Sequence, residues 1–205
     1  MRSSEPSPRG LRIVGGTHRG RRLVVPSGEA VRPTSDRARE ALFNILLHGR
    51  FAAAGSPIAG RAVLDAFAGT GAFGLEALSR GAAAAFFIEK APAALAALRR
   101  NIAALGEGER ARIVAADATA PPRAPAAVSL AFLDPPYGSD LGATALAALG
   151  AAGWLADRAL VILEVAKSAR LAPPPGFTLL DERRYGAARF LFLRYSGSAA
   201  AARQG

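Results

Sequence analysis

The residues with the clearest chemical potential are four carboxylates, Asp65, Glu89, Asp117 and Asp134, each at or just past the end of a short apolar run. Open parallel sheets bind ligands outside the carboxyl ends of their strands, so four acids in that position describe a polar binding edge. Asp65, which precedes Gly69, Gly71 and Gly74, would repel a pyrophosphate and suits a ligand with a cationic amino group, such as the methionine moiety of S-adenosylmethionine. Glu89 lies 24 residues after Asp65, where an acid accepts hydrogen bonds from the ribose hydroxyls of a nucleotide. Asp117 could accept from an adenine amino group. Taken singly, any of the four could be a turn or cap residue, the commoner role of Asp at a strand end.

The sharpest of these signals is Asp134-Pro135-Pro136-Tyr137. Two consecutive prolines restrict the backbone, so the carboxylate and the carbonyls beside it are held rigidly, with an aromatic ring directly after them. Rigid acceptors next to a ring suit the exocyclic amine of a flat base: the acceptors take the N–H groups and direct the nitrogen lone pair at an electrophilic methyl, while Tyr137 stacks on the base.

These residues need a scaffold, and its centre is Ala62 to Gly74. An apolar run, Ala62 to Leu64, reads as a buried strand that stops at Asp65 and passes through Gly69, Gly71 and Gly74 into a helix from Leu75 to Arg80. Glycine at these positions leaves room for a ligand against the backbone and the helix-start amides. The spacing Gly69-x-Gly71-x-x-Gly74 also satisfies a dinucleotide fingerprint, and a strand-to-helix turn that binds nothing carries the same pattern. A nicotinamide-dependent oxidoreductase therefore fits the glycines, but it leaves Asp134 to Tyr137 unexplained.

Around this centre, strands are expected at Ala84 to Ile88, Arg112 to Ala115, Val128 to Leu133 and Leu160 to Val165. Helices are expected at Ala93 to Leu105 and Leu141 to Leu149, and Phe177 to Tyr185 with Ala188 to Tyr195 form a terminal hairpin. Upstream, Leu11 to Val14 and Leu23 to Val25 read as a small basic hairpin. A helix with Ala38, Ala41, Leu42, Ile45 and Leu46 on one face follows, capped by Thr34 or Ser35. The expected fold is α/β: a doubly wound, mostly parallel seven-stranded sheet with a C-terminal antiparallel hairpin, preceded by a small basic N-terminal β-hairpin and helix. Residues 1–10 and 196–205 are expected to be disordered tails, 11–50 a basic appendage, and 51–195 the nucleotide-binding core domain.

Composition narrows the function classes. At 205 residues the chain has room for one domain of ordinary size. Although 51% of it is hydrophobic, no run approaches the ~18 apolar residues that span a bilayer, so a soluble protein without a membrane partner is expected. The absence of cysteine rules out disulfides and thiolate metal sites, and no secretory signal opens the chain, so the expected address is cytoplasmic. Two histidines, His18 and His48, are too few for a histidine-based metal site. The net charge is +10, and residues 1–50 carry ten arginines against four acids, so +6 of it lies in a quarter of the chain. Clustered arginine is the footprint of a phosphate-backbone partner. The candidates for RNA contact are Arg12, Arg19, Arg21, Arg22, Arg32 and Arg37, with His18 among them.

Together, Asp65-Ala66-Phe67-Ala68-Gly69-Thr70-Gly71 and Asp134-Pro135-Pro136-Tyr137 resemble the motifs of Rossmann-type, S-adenosylmethionine-dependent amino-methyltransferases. Within that class the chain resembles the RsmD family, bacterial methyltransferases of guanine N2 in 16S ribosomal RNA, over roughly Leu11 to Tyr195. The family-specific stretches are Arg12-Ile13-Val14-Gly15-Gly16 with Arg19-Gly20-Arg21, Arg32-Pro33-Thr34 with Asp36-Arg37 and Arg39 to Asn44, and Gly74 to Gly81. The resemblance implies catalysis by Asp134, Pro135, Pro136 and Tyr137. It also implies cofactor contacts from Asp65, Phe67, Gly69, Thr70, Gly71, Glu89, Lys90, Asp117 and Ala118, and an RNA contact from Thr34 beside the arginines. It implies methyl transfer without a metal, by a monomer, on 16S ribosomal RNA in a small-subunit particle. The tetrapeptide is shared with DNA adenine-N6 methyltransferases, and a non-catalytic RNA-binding protein on the same fold also fits the charge.

Overall fold

Apolar runs of five or six residues alternating with amphipathic stretches build one sheet with helices on both faces. The structure is a computed structural model, described here for residues 10–26, 36–53, 55–136, 140–169, 172–186 and 188–197. In chain order the elements are α1 (Asp36–His48), a short 3₁₀ turn (Arg50–Ala52), β1 (Ala62–Ala66), α2 (Ala72–Ser79), β2 (Ala84–Glu89), α3 (Pro92–Leu105), β3 (Ala111–Ala115), β4 (Val128–Leu133), α4 (Leu141–Ala151), β5 (Leu155–Ala166), β6 (Phe177–Tyr185) and β7 (Ala188–Tyr195). The strands form a single seven-stranded sheet in the order β3-β2-β1-β4-β5-β7-β6. β1 to β5 run parallel, and β7 is antiparallel to both β5 and β6.

Strand alternation sorts the core into two layers. Val63, Phe87, Leu130, Phe132 and Ile162 join Leu42 and Phe43 of α1, Leu75 of α2 and Leu98 of α3. Leu64, Ile88, Ala131, Leu133 and Leu163 join Leu146 and Leu149 of α4 and Trp154. In the first layer the Phe132 ring stacks on Phe73 at 5.1 Å and tilts against Phe43 at 5.6 Å. Each such side chain contributes roughly 1.5–3 kcal/mol by leaving water. α3 begins with Pro92 in its first turn and ends at Gly106 with φ 72°, the asymmetry that the pyrrolidine ring and the left-handed region impose on helix ends.

The expected sheet is present, with differences at the element edges. β1 continues through Asp65 to Ala66 instead of stopping at the carboxylate. The acid is tolerated there because its Oδ2 accepts the Gly74 amide at 2.8 Å. α2 begins three residues earlier than Leu75, at Ala72. β5 begins at Leu155 rather than Leu160, because a register irregularity opposite Val128 and Leu130, with Arg158 at φ 62°, carries the strand past a break in its apolar pattern. The basic N-terminal hairpin is an antiparallel loop closed by one bridge, Arg12 with Arg22. Its outer edges are bonded elsewhere: the Val14 amide donates to Glu76 Oε2 at 2.7 Å, Thr17 N to Ser79 O at 2.8 Å, and Val24 N to Asn101 Oδ1 at 2.7 Å. Gly16, at φ 76°, lies against the Ser79 carbonyl where a β-carbon has no room. Leu11, Ile13 and Leu23 thereby enter the same apolar layer as α1. Residues 1–9 and 198–205 of the expected tails, the Thr34 or Ser35 cap, Arg32 and Tyr137 lie outside the described residues, while the Ser196 amide, at the start of the expected C-terminal tail, donates to Gly176 O at 2.9 Å.

Candidate active site

The strand ends converge on a cleft of about 230 Å³ lined by Phe67, Glu89, Lys90, Asp117, Ala118, Asp134 and Pro136, with Ile88, Ala91, Ala116 and Leu141 completing its wall. Residues from the ends of β1, β2, β3 and β4 therefore share one concavity, as the sheet topology requires, because β1 and β4 are neighbours and both open at their carboxyl ends. Phe67, just past β1, holds φ 58°. An aromatic residue in the left-handed region is uncommon, and this one turns the chain so that its ring forms one side of the cleft.

Glu89 organises the second wall. Its Oε2 accepts the Gly69 amide at 2.8 Å, and its Oε1 accepts the amides of Lys90 and Ala91, both at 2.7 Å. The carboxylate thus fastens the glycine turn to the end of β2 and retains one lone pair, on Oε2, for a ligand hydroxyl. Lys90 Nζ reaches Asp117 Oδ2 at 2.7 Å, and Asp117 Oδ1 accepts the amide and hydroxyl of Thr119. The Lys90 hydrogen bond, followed by those from Thr119, holds the Asp117 carboxyl down at about 2. Asp117 thus lines the cleft already carrying full charge.

Asp65 lies one layer beneath, 2% exposed, under the glycine turn. Burial pushes its carboxyl up from 3.8 to about 8, and the charge on Glu89 adds to that, against the opposing amides of Gly74 and Phe73. The positive end of α2 is consequently occupied by the protein's own acid, which disfavours a ligand pyrophosphate there. The glycines divide by role. Gly69 (φ 54°) faces open space, its nearest neighbour for an added β-carbon being 4.0 Å away. A β-carbon on Gly71 would collide with Leu98, and one on Gly74 with the Phe87 ring. Two of the three glycines therefore serve helix-to-sheet packing, and only the first leaves space at the turn. Thr70 is buried beside them, its carbonyl accepting from Asn101 Nδ2 at 2.9 Å.

The raised Asp65 carboxyl has a consequence for stability. The unfolded chain ionises this group near 3.8 and the native protein near 8, so the native state holds the extra proton across that window. Stability from Asp65 is fully present below pH 4 and is lost as pH rises through 8. Asp65→Asn keeps an acceptor for the Gly74 amide and removes the buried charge. Thermal melts of the ligand-free protein should show the variant more stable at pH 8, by on the order of 1–3 kcal/mol, with the difference vanishing near pH 4. Equal melting curves at pH 8 would rule out this account of Asp65.

At the third wall, Asp134 is half-buried just past β4, its amide 3.4 Å from Ala66 O, followed by buried Pro135 and exposed Pro136. Burial first, then the charges of Glu164 and Asp65, raise its proton affinity well above the usual carboxylate range. Glu164, on β5 and 3% exposed, is a neighbour that the motif does not contain. Its signal in the sequence is an acid inside the apolar run Leu160 to Val165.

The basic residues are distributed differently. His18 Nε2 lies 2.6 Å from Glu107 Oε1, and Arg21 donates to Ala104 O at 2.7 Å. Both anchors are at the C-terminal end of α3, whereas the cleft is at its N-terminal end, a separation of roughly 20 Å by helical rise. Arg12 pairs with Asp36 at 3.1 Å, while Arg19, Arg22 and Arg37 are exposed. Between these regions runs a buried ionic group: Arg39 meets Asp36 at 2.9 Å and Glu76 at 3.8 Å, and Glu76 also accepts from Arg80 at 2.7 Å. Among the described residues no group of acids or histidines has a metal-ligating arrangement, and no helix is long and apolar enough to cross a membrane.

A mostly parallel sheet ending in an antiparallel hairpin, with a glycine turn after its central strand and Asp-Pro-Pro after the next, defines a Rossmann-like methyltransferase fold. The chain belongs to the RsmD family, whose model, described as conserved hypothetical protein 95, matches residues 11–194. It is 43% identical over 157 residues to the ribosomal RNA small subunit methyltransferase D of Escherichia coli K12, covering 75% of this chain and 74% of that protein. It is 35% identical over 186 residues to the protein of the same name from Haemophilus influenzae, covering 88% and 92%. The solved structure of a putative methyltransferase, yhhF, from Escherichia coli superposes with a TM-score of 0.76 at 34% identity, over 92% of this chain and 99% of that one.

Proposed function

We propose that this protein is an S-adenosylmethionine-dependent ribosomal RNA methyltransferase acting on the exocyclic N2 amine of a guanine in 16S RNA, as a monomer on a small-subunit particle in the cytoplasm. The observation that carries the reading is the placement of Asp134 and Pro136, either side of buried Pro135, on the same cleft as Glu89, Lys90 and Asp117. The wall fits the donor by its chemistry: an ionised Asp117 and the Glu89 side chain for amino and hydroxyl groups, with Phe67, Ile88, Ala118 and Leu141 offering apolar surface to a flat ring. Buried Asp65 adds a proton-hungry carboxyl that a cationic amino group would return to its charged form.

S-adenosylmethionine supplies a methyl group already activated on a sulfonium, so no metal is needed. The protein's task is alignment. Asp134 and the carbonyls set by Pro135 and Pro136 accept the N–H groups of the target amine, and Tyr137, next in sequence, is assigned to stack on the base. As the nitrogen bonds to carbon, the carbon–sulfur pair returns to sulfur and the amine proton passes toward Asp134. Tritiated methyl donor offered to free 16S RNA, small subunits and DNA, with the label mapped, tests this reading. Label on guanine N2 of 16S RNA is expected, and label on adenine N6 or on DNA alone would overturn it.

The RNA-docking role belongs in this proposal to residues 11–50, through Arg12, Arg19, Arg21, Arg22, Arg32, Thr34 and Arg37. The exposed cations near the far end of α3 would grip RNA roughly 20 Å from the cleft, a span suited to a large folded substrate. Each phosphate neutralised adds about 0.7–0.9 to the slope of log affinity against log salt. Replacing Arg19, Arg21 and Arg22 by Ala should flatten that slope by about two to three units and leave donor binding unchanged. An unchanged slope would place the RNA surface elsewhere.

A further inference from the structure

We infer that Glu164 is a positioning residue for the proposed methyl transfer: facing Asp134 across β4 and β5, it makes the two carboxyls one proton-sharing pair that receives the proton released by the amine. The inference rests on the reading of Asp134 as the amine's acceptor. The geometry is set by strand register. Leu133 pairs with Leu163 in the parallel ladder, so the next residues, Asp134 and Glu164, emerge side by side. Alternation gives them the same face, that of Phe132 and Ile162. Glu164 is 3% exposed, so water screens the pair poorly, and a second negative charge beside Asp134 is correspondingly effective.

Two carboxyls held together in a low dielectric do not both ionise readily, so a second acid beside Asp134 makes its charged form harder to reach. The direction found for Asp134, upward through burial and the charges of Glu164 and Asp65, agrees with this. The other charged groups around the site are Glu89, Lys90 and Asp117 across the cleft, and Arg39, Glu76 and Arg80 in the layer of α1 and α2. In the reaction the nitrogen–carbon bond forms, the carbon–sulfur pair leaves with sulfur, and the N–H electrons stay on nitrogen while the proton moves to the pair. An isolated carboxylate near its ordinary affinity would be a weak acceptor. Glu164 raises that affinity without touching the base.

The test reads Asp134 directly. In protein labelled with carbon-13 at Asp and Glu carboxyls, Glu164→Gln should lower the Asp134 titration midpoint by about one pH unit or more. Glu164→Asp, which keeps the charge, should restore it. Single-turnover methylation of small-subunit RNA by Glu164→Gln should show an acid limb displaced to lower pH and a plateau reduced roughly tenfold, with S-adenosylmethionine affinity and melting temperature near wild type. An unmoved Asp134 midpoint, or a rate loss that merely tracks lost donor binding or folding, would overturn the inference. If the midpoint moves but the wild-type protein methylates no ribosomal guanine, the pair stands and the proposed function fails. Guanine methylation with an unmoved midpoint defeats the pair alone.

Discussion

Asp134→Ala is expected to lower the single-turnover rate of methyl transfer by about 10²- to 10⁴-fold, while S-adenosylmethionine affinity stays within roughly tenfold. The asymmetry follows from where the side chain stands. Asp134 closes the end of the cleft formed by β4, whereas Glu89, Lys90 and Asp117 come from β2 and β3. Removing the acid deletes the acceptor for the target amine and leaves the donor's walls in place. It also relieves the crowding of carboxyls with Asp65 and Glu164, so the variant should fold at least as stably as wild type. A stable protein that binds donor and does not turn over is the expected result. Rapid quench on the labelled ribosomal substrate measures it, and a near-wild-type rate would remove Asp134 from the chemistry.

Arg39→Met should have the largest effect on stability, about 3–5 kcal/mol, because it strands a buried acid. Arg39 and Glu76 are both fully buried, and Arg39 also reaches Asp36 and the carbonyl of Arg12. One guanidinium thus joins the start of α1, the N-terminal loop and α2. Glu76 would keep Arg80 as a partner, which sets the lower end of the range. Glu76→Gln introduced beside Arg39→Met should recover part of the loss, since the uncompensated charge is then gone. Urea unfolding of the single and double variants measures both terms. A single variant within 1 kcal/mol of wild type, to borrow the scale of ordinary surface changes, would mean the group is not structural. The same loss should loosen residues 11–26 from α2 and raise their amide exchange, because the Val14 amide shares the Glu76 carboxylate.

The chain's periodicities and punctuation were sufficient for the strand-and-helix order, because an apolar run bounded by Gly or Pro reports local backbone preference and burial together. That is why Val128–Leu133, Phe177–Tyr185 and Ala188–Tyr195 stand where the pattern puts them, and why the strand-end acids could be assigned to one edge. Asp134-Pro135-Pro136 was legible for the same local reason: its rigidity is a property of three consecutive residues. Only the tertiary structure could decide what meets across the sheet. Gly71 and Gly74 were readable as ligand-facing, yet the rings and side chains that require them, Phe87 and Leu98, come from β2 and α3. Asp65 seemed a cleft residue, and burial with the Gly74 amide places it beneath the turn. Glu164 stands beside Asp134 through parallel register between strands separated by α4, and Arg39 meets Glu76 across 37 residues of chain. Such pairings depend on long-range packing of elements whose own sequences carry no record of their partners, so local propensity reaches the elements and the site's edge while the charges behind the site are set by the fold.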